Sequence, residues 1–254
     1  MTKIIINGIL GRMGKEITLS IPKDASLQLV GGIDKTETAL EDGVPVSKSA
    51  ATLLSKTDLV IDFSLPEGTA EIAIACLKFK KPLITGTTGL SIEQQKNIID
   101  LSKQVPVVQS SNFSIGINLV NQLIRTAGQV LKGLVDAEIV ETHHRLKKDS
   151  PSGTALTLGR TLAHVLDADE KLFQFGRRGN GLTREKEIAF HSLRGGSVVG
   201  EHQVHLLCEN ENIIITHQAL SRAVFVDGVL KAAKWVIAKP PGLYNMGDVL
   251  GFAK

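Results

Sequence analysis

Residues 3–6 are a short apolar run, and Gly8-Ile9-Leu10-Gly11-Arg12-Met13-Gly14 follows almost at once. An Ile-rich run ending in spaced glycines predicts a strand, a tight turn and then a helix, here over 12–21. The unit recurs down the first half of the chain. Further strands are expected at 27–33, 59–63, 82–85 and 105–109. Pro66-Glu67 opens a helix that runs to 79, and Ser91 with Gln94 is a capping-box signature for a helix reaching 102. Such alternation predicts a parallel sheet with helices on both faces, hence an α/β fold. With 43% hydrophobic and only 4% aromatic residues, its core must be built mainly from Ile, Val, Leu and Ala.

The rhythm then changes. A helix is expected over 115–131 after Ser114, and a strand follows that ends near Glu141. A second helix is expected from Thr154 to Leu166. Strand-like runs at 187–193, 200–207 and 213–220 have no helix between them. Consecutive strands of this kind predict a mixed sheet, so a second domain of α+β type. A glycine-rich polar loop spans 174–184 and includes Gly176, Gly179 and Gly181. A last helix covers 225–238 and stops before Pro240-Pro241-Gly242.

Net charge is +3, and the basic residues are scattered among acidic ones. No arginine-rich run interleaved with aromatics points to nucleic acid. No apolar run is long enough to span a bilayer, and the N-terminus enters a strand directly. Cys76 and Cys208 lie in separate apolar runs and read as buried thiols of a reducing compartment. The expectation is a cytoplasmic protein without membrane or nucleic-acid partners. No metal is expected either. His202 and His205 stand three apart in a predicted strand, so their rings face opposite ways.

The strand–glycine turn–helix at Gly8, Ile9, Leu10, Gly11, Arg12 and Met13 is the context in which a backbone approaches a pyrophosphate. Its G-x-x-G-x-x-G spacing is not the standard fingerprint, and a plain tight turn uses the same glycines. Asp34 follows the second strand, where an acidic residue meets the adenosine ribose; a strand-ending turn residue reads the same. Lys35 and Arg12 are placed to reach a 2′-phosphate. Gly86-Thr87-Thr88-Gly89 and Ser110-Ser111-Asn112-Phe113 end two further strands. Ligands of open α/β sheets bind at such ends, and small polar residues suit a nicotinamide and its ribose, although ordinary loop capping uses them too.

The densest chemistry lies in Glu141-Thr142-His143-His144-Arg145-Leu146-Lys147-Lys148-Asp149-Ser150-Pro151-Ser152-Gly153-Thr154. If the strand stayed extended, Glu141, His143, Arg145 and Lys147 would share one face and His144 the other. Ser152 and Thr154 are helix-start residues, and the free N–H groups of a helix start favour an anion. A proton donor, several cations and a carboxylate site therefore lie within one strand and one turn.

Together these residues closely resemble the 4-hydroxy-tetrahydrodipicolinate (dihydrodipicolinate) reductase family. The matching blocks are Gly8 to Gly14, Asp62-Phe63-Ser64 with Pro66-Glu67-Gly68, Gly86 to Gly89, Asn112-Phe113-Ser114, the block from Glu141 to Ala155, Arg194-Gly195-Gly196, Gly200-Glu201-His202, and His217 with Ser221-Arg222. The resemblance implies NAD(P)H-dependent reduction of 4-hydroxy-tetrahydrodipicolinate to tetrahydrodipicolinate, in the diaminopimelate route to lysine. It implies His143 as catalytic acid/base, Lys147 as second proton donor, and His144, Gly153 and Thr154 as contacts to the substrate carboxylates. NADH or NADPH would be held by Gly8 to Met13, Asp34, Lys35, Gly86, Thr87, Thr88, Ser110, Ser111, Asn112 and Phe113. The family fold implies a Rossmann-type domain, 1–113 plus 225–254, and a substrate-binding and oligomerisation domain, 114–224, in a homotetramer. A semialdehyde-type dehydrogenase would need a nucleophilic cysteine, and neither cysteine has that setting. A non-catalytic NAD(H) sensor has no use for His143, Lys147 and the Ser152-Gly153-Thr154 turn together.

Overall fold

The structure is a computed structural model and describes residues 1–180 and 183–252. It divides into two compact units, Met1–Ile115 with the described part of Phe225–Lys254, and Gly116–Val224. Gly181 of the glycine-rich loop lies outside the described residues.

In the first unit, strands and helices alternate from the N-terminus. They are β1 (Thr2–Asn7), α1 (Arg12–Ser20), β2 (Leu27–Ile33), β3 (Thr38–Ala39), β4 (Pro45–Ser47), α2 (Ala51–Leu54), β5 (Leu59–Asp62), α3 (Pro66–Phe79), β6 (Leu83–Thr85), α4 (Ile92–Ser102) and β7 (Pro106–Gln109). The second unit contains α5 (Ile115–Val130, whose first residue belongs to unit one), β8 (Asp136–His143), α6 (Gly153–Leu166), β9 (Phe173–Phe175), β10 (Ile188–Arg194), β11 (Gly200–Leu207) and β12 (Asn212–Ala219). After α7 (Ala223–Val236), β13 (Gly242–Tyr244) and α8 (Met246–Leu250) belong to the first unit.

The first sheet has the order β13-β7-β6-β5-β1-β2-β4-β3, and every pair in it is parallel except β3 with β4. Its central strands are apolar on both faces because both faces are covered. Ile4, Ile6, Ile61 and Val108 join Ile17 of α1, Val229 of α7 and Met246 of α8 in one core. Their neighbours Ile5, Val60 and Val107 point the other way, against Leu54, Ile72 and Ile98 of α2, α3 and α4. The chain steps from β1 to β2 on one side and returns with β5 on the other. The carboxyl ends of β1 and β5 thus form a topological switch point, the usual ligand position in such sheets. Helix starts follow the sequence signals. Pro66 opens α3, and at α4 Ser91 Oγ accepts from Gln94 N while Gln94 Oε1 accepts from Ser91 N.

The second sheet is mixed, β12-β11-β8-β10-β9, with β8 parallel to β10 and antiparallel to β11. One face packs under α5 and α6 through Ile139, Phe190, Val204, Ile124, Leu158 and Leu162. By strand alternation the opposite face carries Glu138, His191, Gln203, Leu193 and Ile214, the last two at 50% and 55% exposure. On the packed face the residue type changes along the strands. Ala137 and Ile139 of β8 lead to Glu141 and His143, Ile188 and Phe190 of β10 lead to Ser192 and Arg194, and Leu206 and Val204 of antiparallel β11 lead to His202 and Gly200. The apolar end anchors the helices, and the polar end lies where α6 begins.

No described helix is long and apolar enough to cross a membrane. Cys76 is buried in α3, whereas Cys208 is only half-buried, just past the end of β11.

Gly228 of α7 lies so close to the main chain that a Cβ would stand 1.7 Å from the Phe113 carbonyl oxygen. Backbone cannot yield as a flexible side chain can. Gly228→Ala is expected to lower unfolding free energy by at least about 3 kcal/mol, measured by urea denaturation.

Candidate active site

The glycine loop is shaped by contacts within the first unit. Gly8 has φ +80°, and a Cβ there would lie 2.8 Å from the Phe63 carbonyl oxygen. At Gly14 a Cβ would come within 2.3 Å of the Gly8 oxygen, so the first turn of α1 can lie against the loop only as glycine. Asp34 fixes the loop from the end of β2. Its Oδ2 accepts from Leu10 N at 2.8 Å and its Oδ1 from Lys35 N at 2.8 Å. Gly11 caps α1 without a side-chain bond and the first turn has no acid. Arg12 and Lys35 are exposed. A helix start with no side-chain cap and no acid in its first turn fits a phosphate-bearing ligand.

Beside this loop a carboxylate is wholly buried with no cation paired to it among the described residues. Asn7, Asp62 and Thr85 occupy equivalent terminal positions of β1, β5 and β6, paired in register. Asp62 is 0% exposed. Its Oδ1 accepts from Asn7 Nδ2 at 2.8 Å and Ser64 Oγ at 2.6 Å; its Oδ2 accepts from Thr69 Oγ1 and Thr85 Oγ1, each at 2.7 Å, and Thr87 Oγ1 at 3.1 Å. Neutral donors arranged in this way can hold a buried acceptor. The network locks the turns after β5 and β6, and so places Gly86 and Thr87. Next to it a pocket of about 440 Å³ is lined by Thr87, Thr88, Gln109, Ser110 and Ser111 among others. Ser110 Oγ donates to the Asn112 carbonyl at 2.8 Å, and Asn112 Oδ1 accepts from Ser114 N at 2.8 Å. Phe113 is buried edge-on to Phe63 at 5.6 Å.

In the second unit the polar end of the packed sheet face gathers a second set of groups. Glu141, 1% exposed, contacts His143 Nδ1 through Oε2 at 2.5 Å. Arg194 grips the same carboxylate bidentately, Nη1 to Oε2 at 2.9 Å and Nη2 to Oε1 at 2.7 Å. Ser152 N donates to Oε1 at 3.2 Å. Burial pushes the Glu141 carboxyl up, but the hydrogen bonds from His143 and Arg194 outweigh it and hold the group well below the usual carboxylate range. Ser152 caps α6, accepting from Ala155 N at 3.1 Å, and its hydroxyl also meets His202 Nε2 at 3.0 Å. The His143 and His202 rings stand edge to face, 5.2 Å apart. His202 is pushed down to about 3, first by burial and then by His143, with His217 and Lys147 adding smaller effects against the opposing pull of Glu141.

The extended-strand expectation for Arg145 and Lys147 needs correction. β8 ends at His143, and Lys147 N closes a turn on the His144 carbonyl at 3.1 Å. Glu141 and His143 do share a face, but Arg145 is exposed in the turn. Lys147 pairs with Asp149 Oδ2 at 2.9 Å. His144 Nδ1 is buried and has no hydrogen-bond partner among the described residues. Gly153 and Thr154 form the first turn of α6, where a Cβ on Gly153 would meet open space. The arginines of the glycine-rich loop lie elsewhere. Arg177 is paired with Glu138 and Glu187, and Arg184 with Asp136 and Glu138. Arg194 is the functional candidate that residue-by-residue reading left without a role, whereas Ser152 was read only as a helix start and His202 was given no catalytic or binding role. The signal available for them was the shared blocks Arg194-Gly195-Gly196 and Glu201-His202.

The family model for the dihydrodipicolinate reductase N-terminus matches residues 2–113, and that for its C-terminus matches 116–250. The chain belongs to the dihydrodipicolinate reductase family. Relatives in this family named 4-hydroxy-tetrahydrodipicolinate reductase include one from Clostridium botulinum (strain Eklund 17B / Type B), 42% identical and covering 100% of both chains. Another, from Pseudomonas fluorescens (strain Pf0-1), is 41% identical and covers 99% of both. Among solved structures, a dipicolinate-bound dihydrodipicolinate reductase from Paenisporosarcina sp. TG-14 shares the fold with a TM-score of 0.82 at 24% identity. That match covers 96% of this chain and 97% of the other.

The depressed value of His202 has a stability consequence. Between about 6.5 and about 3 the unfolded chain protonates this residue while the folded protein keeps it neutral. The unfolded state binds the extra proton, so stability falls as pH drops through that window. His202→Gln can keep a hydrogen bond to Ser152 and removes the titration. Unfolding free energies from urea denaturation across the window should then show a pH slope shallower by about 1.4 kcal/mol per pH unit.

Proposed function

We propose that this chain catalyses the NAD(P)H-dependent reduction of 4-hydroxy-tetrahydrodipicolinate to tetrahydrodipicolinate, with the first unit holding the cofactor and the second the substrate. Family membership supports the reaction, and the Glu141–His143 contact beside the start of α6 carries the assignment of residues. NADH or NADPH would be held by the Gly8 to Met13 loop, Asp34, Lys35, Gly86 to Thr88, and Ser110 to Phe113. The reduced nicotinamide, when bound, supplies the hydride.

The substrate carries two carboxylates on an unsaturated nitrogen ring. The start of α6 at Gly153-Thr154, the unpaired Nδ1 of His144 and the Lys147 ammonium suit those carboxylates. As negative charge grows towards the ring nitrogen and the adjacent carbon, a proton must arrive. His143 turns Nδ1 to Glu141, so in the doubly protonated ring Nε2–H is the proton delivered, and delivery leaves the neutral ring with its proton on Nδ1. Nε2 faces Gly200, where a Cβ would stand only 3.0 Å away. Lys147 neutralises charge and is the second donor. A dipicolinate-bound relative of the same fold supports a planar dicarboxylate as ligand. We place the protein in the cytoplasm and in a homotetramer, as membership of a biosynthetic enzyme family suggests; the exposed apolar residues Leu193 and Ile214 support association through that sheet face but not a particular subunit number.

Mixing the protein with freshly made substrate and either reduced cofactor should consume the nicotinamide absorbance; no loss with either cofactor sinks the reading. His143→Gln should lower kcat by roughly 100-fold or more while cofactor Kd stays within about twofold. Lys147→Ala should lower kcat and also raise substrate KM, read from the same assay.

A further inference from the structure

Three pieces of the second-unit site come from separate stretches of chain: the imidazole at the end of β8, the turn carrying Lys147, and the start of α6. One ion pair touches all three. Glu141 meets His143 Nδ1 at 2.5 Å and accepts from Ser152 N, the N-cap of α6, at 3.2 Å. Arg194, clamped on Glu141, also donates through Nη2 to the Asp149 carbonyl at 2.7 Å, and Asp149 holds Lys147 at 2.9 Å. Arg194 is itself set by register, since it lies opposite His143 across the parallel β8–β10 pair.

We infer that Glu141 and Arg194 are a positioning pair for the reaction proposed above. Glu141 accepts the Nδ1–H hydrogen bond of His143 and so fixes the tautomer that presents Nε2. Arg194 keeps Glu141 ionised and ties the Lys147 turn to the same anchor. Neither residue exchanges a proton with substrate. The charges favour this division. A lone buried carboxylate next to an imidazole would compete for its proton, whereas a bidentate guanidinium partly cancels the carboxylate's charge and saturates its lone pairs. A lysine supplies the charge but not the fork, so the geometry asks specifically for arginine.

The inference rests on the functional reading, and the test separates the two. Wild type, Glu141→Gln, Arg194→Lys and Arg194→Met are compared by steady-state kinetics, by cofactor titration, and by imidazole nitrogen NMR of histidine-labelled protein. Glu141→Gln should lower kcat by 30-fold or more with substrate KM changed less than threefold and cofactor Kd unchanged. The same variant should lose the Nδ1–H tautomer that wild-type His143 shows. Arg194→Lys should resemble Arg194→Met more than wild type. Wild-type kcat in Glu141→Gln, or a neutral wild-type His143 whose single proton sits on Nε2, overturns the inference. If wild type consumes no cofactor with the substrate, the functional reading has failed, and the tautomer spectra still decide whether the pair sets the ring. If Glu141→Gln fails to fold, Glu141→Asp keeps the charge and shortens the reach by one methylene; full kcat in that variant would equally overturn the inference.

Discussion

Taking a carboxylate out of water costs several kcal/mol unless donors replace the solvent. Glu141 is in that position, and the donors it collects are the groups the site is made of. The end of β8, the cap of α6 and the last residue of β10 converge because each satisfies part of the same anion. Packing reinforces this. The apolar halves of β8, β10 and β11 hold α5 and α6 down, and Gly159 lets α6 approach so closely that a Cβ there would sit 2.3 Å from the Phe190 ring. The helix start is therefore held from two ends, by apolar contact along its length and by hydrogen bonds at its tip.

The first unit solves the same problem by other means. Asp62 is equally buried and gathers neutral hydroxyl and amide donors instead of a guanidinium. Those donors come from the two flanking strand ends (Asn7 and Thr85), the turns after β5 and β6 (Ser64 and Thr87) and Thr69 in the first turn of α3, so the anion acts as a clasp for the loops at the switch point. Its charge is also felt within α3, where burial first and Asp62 second push the Cys76 thiol up and keep it unreactive.

Much of this could be read before any coordinates. Strands with apolar runs such as 4–6 and 59–61 carry their own signal, and the capping box at Ser91 and Gln94 marks a helix start by local chemistry alone. β3, β4, β9 and β13 were not legible. Each is two or three residues long, and its pairing is decided by a neighbour distant in sequence. At the site, Glu141 and His143 are two residues apart and their alliance follows from strand alternation. Lys147 did not follow that alternation, because the turn after His143 ends the strand. Arg194 lies 53 residues from Glu141, and only the register of β8 with β10 brings them together. The Asp62 clasp was hidden for the same reason, since Asn7 and Thr85 become its neighbours only once the strand order is known.

The order in which the chain is made adds a further consequence. β13 lies beside β7, and α7 and α8 supply much of the layer over one face of the first sheet, yet all three follow the second unit in sequence. During translation, Ile4, Ile6, Ile61 and Val108 have already left the ribosome while Val229 and Met246 are still unmade. The nucleotide-type unit is thus an apolar half-sandwich for as long as the inserted unit takes to emerge. Chaperone contact in that interval would fall on the nascent sheet, before the last helices arrive to seal it.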